Sequence, residues 1–546
     1  MKKYKLLFAI PAAAMALTGC NDLDQVPNGS LITTDQKADI VAENPEMASA
    51  AVNALPQMTS PYMSLGYSGL HTDFGYPAIM LITDSRGMDM PSALIGYNWL
   101  TAALEWSDFG GTYYDNLIYW RIHYNLISSC NSVAALIDSS AEKGQTKYFR
   151  AQALGMRAWC YINLAQMYQY TYAKDPDAGT VPMLLDTNMD QAAAEGMART
   201  SGRELYAQVK ADLTEAIALL ESAEQEGVTR ATQAENANQV KTFLNAMVCY
   251  GLRARANLMT EDWAAAADDA QKAIDLAKKE GLSPASISEV SVPSFYDIND
   301  HNWMWGFWVD PQSNLVGLVG FAGQSSSWHD NYPSVGVYRL INKKLYESIP
   351  ATDVRKGWWL NGSATPPTTL PSQYREWLSN AVANGYVKHD PYCQIKFGAY
   401  TNTPGVSTMA EDVPYMRVEE MYLILAEAQG MQNFSTGKAT LENFVKTYRQ
   451  PNYTCDANDS NSLRDAIWYQ RRIELWGEGF SYSDMMRLQK PCDRRGGGFD
   501  PSIVYNVAPN DPAMLYEIIQ PEAVNNPLIG NVSNGASVPS AVPDEE

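Results

Sequence analysis

The feature that most constrains this chain is a helical rhythm between about Asn116 and Met259, where apolar residues recur at three- and four-residue spacing with many alanines among them. Each helix so patterned has one apolar stripe to bury, so successive helices must pack on one another. Tyr119 to Leu136 makes one stretch, and Tyr148 to Tyr168 makes a second through Ala153, Met156, Trp159, Cys160, Leu164 and Met167. Arg203 to Glu221 makes a third. Between the second and third, Asp175-Pro176-Asp177-Ala178-Gly179 carries only the opening ligands of a calcium loop and reads as turn chemistry.

Tyr250, Ala254, Trp263, Ala266 and Ala273 sit close to the signature positions of a tetratricopeptide helix pair, where small residues let two helices approach and a Trp plugs the gap. The expected fold is therefore all-α dominated, a scaffold of tetratricopeptide-like helix pairs over about 116–281 and 411–490. Helical patterning in the second span runs from Met416 to Met431, Leu441 to Tyr448 and Leu463 to Leu488, with a break at Gly477 and Gly479. Between the spans, about 282–410, Pro, Gly, Ser and Asn are frequent, Trp and Tyr cluster, and helical periodicity largely fails. A long irregular, loop-rich insertion on a rigid frame is where binding commonly resides. The Pro- and Asn-rich tail after Gly496 is expected to lie over the surface.

The first residues are basic at Lys2, Lys3 and Lys5, followed by an apolar run from Leu6 to Leu17 broken only by Pro11. That layout is a secretory signal, and the run is too short to span a bilayer. It ends in Leu17-Thr18-Gly19-Cys20, which resembles the lipobox of bacterial lipoproteins. The resemblance implies cleavage of residues 1–19 and lipidation of Cys20, whose acyl chains would hold a folded body stably at a membrane. Residues 20–45 then read as the tether and 46–546 as one domain.

With 61 acidic against 40 basic residues, the formal net charge of -21 repels phosphate backbones, so nucleic acid is not an expected partner. Beyond Cys20, Cys130, Cys160, Cys249, Cys393, Cys455 and Cys492 show no CxxC spacing, and neither a zinc site nor a disulfide framework is expected. HExxH, GxSxG and GxxxxGK[ST] are all missing, and Gly66-Tyr67-Ser68-Gly69 brings its second glycine one residue early for a nucleophile elbow. His71 near Asp73 and His329 beside Asp330 are the sequence-adjacent acid-base candidates, against the commoner reading as loop contacts. No catalytic residues, metal or cofactor are expected, although carboxylate pairs for glycoside hydrolysis are a matter of spatial separation that sequence leaves open.

Aromatics make up 11% of the chain, enough to furnish flat faces for sugar rings or simply to fill a core, and composition does not separate the two. In His301-Asn302-Trp303-Met304-Trp305-Gly306-Phe307-Trp308 an extended backbone would place Trp303, Trp305 and Phe307 on one face and Met304 and Trp308 on the other. One face is expected to pack inward and the other to meet ligand. Trp328-His329-Asp330-Asn331-Tyr332 mixes stacking rings with hydroxyl-bonding groups, so Trp328, Asp330 and Tyr332 join Trp303 and Trp305 as candidates.

Val413-Pro414-Tyr415-Met416-Arg417-Val418-Glu419-Glu420 through Ala428 resembles the R-x-x-E-x-x-L-x-x-A-E-A helix of the SusD/RagB family. Arg471-Arg472-Ile473-Glu474-Leu475-Trp476-Gly477-Glu478-Gly479-Phe480 through Arg487 resembles its R-R-x-E-L-x-x-E-G helix pair, with Tyr482 at a position usually bulky. Asp353-Val354-Arg355 resembles the D-x-R element, Lys396-Phe397 the short K-F strand, and Tyr206, Asp212, Leu213, Ala216 and Ile217 a further helix. The resemblance implies a nutrient-binding lipoprotein at the outer membrane surface of a Bacteroidota-type bacterium. It would lie as a lid over a SusC-like TonB-dependent transporter, capturing glycans or, in some branches, peptides. A lipid-anchored hydrolase is the third reading. Arg417, Glu420, Glu427, Arg472, Glu474 and Glu478 are expected to lock helices together rather than to catalyse. Asp84-Ser85-Arg86 and Tyr97-Asn98-Trp99 fall in the region that contributes to the glycan site in relatives, which adds Arg86, Asn98 and Trp99 as binding candidates.

Overall fold

The structure, a computed structural model, describes residues 34–66, 69–96, 98–137, 142–329, 337–383 and 389–545. Cys20 and the leader, Asp330 and Tyr332 lie outside the described residues. Helices dominate. We label the principal ones α1 (Tyr76–Arg86), α2 (Tyr114–Leu136), α3 (Gly144–Tyr168), α4 (Gly202–Gln225), α5 (Ala246–Met259), α6 (Trp263–Lys279), α7 (Val418–Gln432), α8 (Phe434–Tyr448), α9 (Ser460–Glu474) and α10 (Ser481–Arg487).

Local chemistry sets several of these boundaries. Ser201 and Glu204 form a reciprocal capping box at the start of α4, and Asn245 caps α5 through the Val248 N–H at 3.1 Å. Asp459 receives the Ser462 N–H at 2.7 Å at the start of α9. Gly477 and Gly479, at φ +78° and +80°, occupy the left-handed region between α9 and α10, a conformation that a β-carbon opposes.

The helices stack in series: α2 on α3, α3 on α4, α4 on α5 and α5 on α6. The α5–α6 hairpin has the small-residue contact expected of a tetratricopeptide-like pair, with Ala254, Ala266, Ala270 and Ala273 fully buried. Trp263 packs partly buried against the main core and lies beneath the Arg464 guanidinium, 4.9 Å from the ring centroid. After α6 the chain leaves the array for more than a hundred residues and returns as α7, which packs directly on α6 and carries α8 and α9. The array is thus continuous in space although interrupted in sequence. At the α7–α8 turn, Gly437 meets Gly430 so closely that a β-carbon would lie 2.3 Å from the Gly430 Cα.

The intervening segment is largely irregular, with a 12-residue helix at Ser372–Ala383 that the sequence pattern did not reveal. Strand β1 (Trp303–Phe307) pairs antiparallel with β2 (Val413–Arg417), with Trp303 opposite Arg417 and Phe307 opposite Val413. Lys396-Phe397 forms no strand; Phe397 makes one isolated bridge to Ser294. The tail does more than cover the surface. Phe499, Ile503, Tyr505, Met514 and Tyr516 enter the main core, whereas the helix Gln520–Asn525 buries none of its residues. The six cysteines among the described residues are free and buried.

Candidate functional site

The charged motif residues form the interior of the second helical span. Arg417 holds Glu478 through two hydrogen bonds of 2.8 and 2.7 Å and reaches Glu474 at 3.1 Å. Glu474 also accepts from Arg449 at 2.7 and 2.8 Å and from Arg355 at 3.2 Å. Lys396 donates to Glu478 at 2.6 Å, so the Lys396-Phe397 element serves this network rather than a sheet. Glu420 pairs with Arg255, Glu427 with Arg487 and Arg472 with Asp89. These charges are satisfied within the protein, and all but the partly exposed Arg472 are buried.

Four of the sequence-predicted binding residues are also interior, and for them the expectation of ligand contact gives way. Trp303 and Trp305 are 0% and 1% exposed, because every residue of β1 is buried, on both faces of the strand, while β2 lies along its edge. Trp305 donates Nε1–H to the Thr242 carbonyl at 3.0 Å and packs edge-on against Trp159 and Tyr415. Trp328, 0% exposed, donates to the Phe397 carbonyl at 2.7 Å and sits on Tyr374 in a small separate core. Arg86 is ion-paired with Asp108, donates to the Ala513 carbonyl at 2.7 Å, and is enclosed by the rings of Trp106, Tyr482 and Tyr516.

Of the two acid-base pairs considered from sequence, His329 with Asp330 cannot be followed, since Asp330 lies outside the described residues, and at the other the carboxylate is engaged by backbone. The Asp73 carboxylate accepts the Leu65 and Gly66 N–H groups at 2.9 and 2.7 Å, ordering its own loop. Buried His329 is held between the Glu411 carboxylate and the Val406 carbonyl. Among the described residues no three His, Cys, Asp or Glu side chains converge as a metal ion would need.

Trp99 is placed differently. It is half-buried, and its ring lies over His71 with centroids 4.8 Å apart and planes 31° from parallel. Burial lowers the His71 pKa, which favours the neutral imidazole. Asn98, next to Trp99, commits its side chain to the loop: Nδ2 donates to Ser92 Oγ and the Leu94 carbonyl, both at 3.0 Å, and Oδ1 accepts from Leu100 N at 3.0 Å. Its Oδ1 also accepts from Arg339 Nη1 at 3.1 Å.

Arg339 anchors the frame beneath this shelf. It is 1% exposed, donates Nε–H to the Gln324 carbonyl at 3.0 Å, and is bridged through its backbone to Ser92. Burial without a carboxylate partner among the described residues pulls its guanidinium down to about 9. Gln324 in turn donates to the His71 carbonyl at 3.4 Å and to that of Leu318 at 3.2 Å. Leu94 and Leu318, whose carbonyls the frame fixes, are 40% and 48% exposed. The result is a half-exposed aromatic shelf held by a buried polar frame. Sequence reasoning found Trp99 and Asn98 but missed His71 as a stacking partner and Arg339 as a support; the latter is about 240 residues away and carries no motif.

The class is that of a helical-pair scaffold whose charged motif residues are locked inside and which carries a partly exposed aromatic shelf. Two family models place it further: one, described as starch-binding associating with outer membrane, matches residues 83–241, and the second, described as SusD family, matches 375–526. Together they span more than half of the chain, which belongs to the SusD/RagB family. Among solved structures, a SusD-like carbohydrate binding protein from Bacteroides vulgatus is similar at 21% identity and TM-score 0.69, covering 93% of this chain and 99% of its own. A SusD superfamily protein from Bacteroides thetaiotaomicron is similar at 19% identity and TM-score 0.67, covering 89% and 99%. Surface glycan-binding protein A from Bacteroides thetaiotaomicron, solved with laminarihexaose, is similar at 16% identity and TM-score 0.60, covering 90% and 99%. At these identities the likeness defines the fold. Among curated proteins none matches. No helix among the described residues is long and apolar enough to cross a membrane.

Proposed function

We propose that this protein captures a glycan at the outer face of an outer membrane and passes it to a SusC-like TonB-dependent transporter, without breaking a bond. The observation that carries the reading is the Trp99–His71 shelf in a chain of the SusD/RagB family. A sugar ring presents an apolar C–H face that stacks on such a surface, and its hydroxyls find neighbouring polar groups. Stacking on a preformed, rigid shelf limits the entropy lost on binding. In this reading Cys20 supplies the lipid anchor, and Asp330 and Tyr332 remain candidate ligand contacts.

The test is calorimetry of the protein against a panel of polysaccharides, oligosaccharides including laminarihexaose, and peptides, with product analysis of the same samples. Saturable binding to one glycan class, weakened by Trp99→Ala and leaving the glycan intact, is the expected result. Binding of peptides alone would overturn the glycan assignment, and new reducing ends would make the protein a hydrolase. Loss of fatty-acid labelling in Cys20→Ala tests the anchor.

A further inference from the structure

A second feature lies in the helical array, away from the shelf. Where the C-terminal end of α4, the crossover through Val228 to Lys241 and the start of α5 meet, the fold leaves a cavity of about 460 Å3. That is within the roughly 300–1,000 Å3 of small-molecule sites. Leu220, Val228, Ala246 and Leu282 give it apolar walls.

Of the polar groups lining it, Glu224 pairs with Lys279 at 3.2 Å, Thr229 caps the short helix that follows it and Asn299 donates to Asn238 at 3.0 Å; the others fall into two sets. Arg230 and Glu280 are already occupied: Arg230 Nη2 donates to Glu280 Oε2 at 2.7 Å, and Asn245 Nδ2 takes the other carboxylate oxygen at 2.6 Å. Lys241 and Tyr148 are not so matched. The Lys241 ammonium donates to the Asp300 backbone carbonyl at 2.7 Å and forms no ion pair among the described residues. Tyr148 is 1% exposed, and its hydroxyl has no hydrogen-bond partner among the described residues. A buried hydroxyl without a partner is costly, so two underused donors on one largely apolar cavity favour an occupant that brings an acceptor.

We propose that this cavity is a second ligand site, separate from the Trp99 shelf, for a small organic acid whose carboxylate meets Lys241 and whose apolar body rests on Leu220, Val228 and Leu282. The Tyr148 hydroxyl is the second donor. The site needs no glycan binding, so it stands whatever the shelf takes. Burial and the neighbouring Arg230 charge pull the Lys241 amine down to about 8, against the opposing pull of Asp300, Asp297 and Glu280. A bound carboxylate restores the charged form, so binding near pH 8 takes up a fraction of a proton, at most about half per site.

The probe is 2-naphthoate, titrated calorimetrically into the full chain at pH 8 in buffers of different ionisation enthalpy, with naphthalene-2-methanol as the uncharged analogue. Expected are saturable one-to-one binding with proton uptake and a loss of about tenfold or more in Lys241→Met, the size of one charge-assisted hydrogen bond. The neutral analogue should bind both proteins equally. Ala231→Trp, at an exposed position lining the cavity, should abolish both ligands, whereas Trp99→Ala should change neither. Lys241→Gln repeats the test if the methionine variant melts early. Absence of saturable naphthoate binding, or binding that survives Ala231→Trp, overturns the site; equal naphthoate affinity in the Lys241 variants overturns the assignment to an acid.

Discussion

Arg417 and Glu478, 61 residues apart, meet in a two-point clamp, with Nε donating to Oε2 at 2.8 Å and Nη2 to Oε1 at 2.7 Å. The clamp joins the start of α7 to the turn between α9 and α10, and Lys396 closes it from the irregular segment. Removing the carboxylate leaves two buried cations short of a partner. Glu478→Ala should therefore cost about 3–5 kcal/mol, seen as a lower urea midpoint, and Glu478→Gln, which keeps the shape, should cost less. An unchanged midpoint in Glu478→Ala would remove the clamp from any account of stability.

The tryptophans should separate by readout. Trp305→Ala empties an interior site and should destabilise by about 3–5 kcal/mol, lowering the melting temperature. Trp99→Ala, half-exposed, should hardly move the melting temperature while weakening glycan binding about tenfold, or about 1.4 kcal/mol, the scale of one aromatic contact. If Trp305→Ala melts like the parent, the interior placement of β1 is wrong.

Arg339 carries a charge that burial disfavours, and replacing buried charged groups by apolar ones of similar volume is often neutral or stabilising. Arg339→Met should accordingly melt at the same or a higher temperature than the parent. Without the bond to Asn98, however, the loop carrying Trp99 loses a support. Faster amide exchange across residues 94–100 and weaker glycan binding are the expected signs, and a purely structural role would show neither.

Two carboxyl groups should pull the pH profile of stability in opposite directions. Burial disfavours the Glu427 charge, but Arg487, Arg464 and Arg471 outweigh it and hold the group at about 2, against an ordinary 4.5. A depressed carboxylate adds stability above 4.5 that disappears as pH falls through 2. Glu427→Gln should remove that acid limb. Asp412 is the reverse: burial raises it to about 8 despite hydrogen bonds from the Ile298 and Val309 N–H groups. Its contribution is complete below about 4 and is lost as pH rises through 8. In Asp412→Asn the decline in urea midpoint between pH 4 and 8 should flatten; a slope as steep as the parent's would assign it elsewhere.

Much of the scaffold was legible because helices report themselves locally. The stretches read at Tyr119–Leu136, Tyr148–Tyr168 and Arg203–Glu221 lie within α2, α3 and α4, and Gly477 and Gly479 do mark a break. The alternation at Trp303–Phe307 correctly indicated an extended chain. It could not indicate that both faces of that strand are covered, since a fully buried strand and a half-exposed one can share a pattern.

The amino-acid sequence by itself determined the helical scaffold, the structural role of its charged motif residues, and the family, because these rest on short-range periodicity and on residue types at fixed spacing. Tertiary structure alone decided which aromatics are core and which form a surface. Trp303, Trp305 and Trp328 went inside and Trp99 stayed half-exposed over His71. Burial depends on what other segments cover, and for Trp99 that means the Arg339 and Gln324 frame assembled from more than 200 residues away.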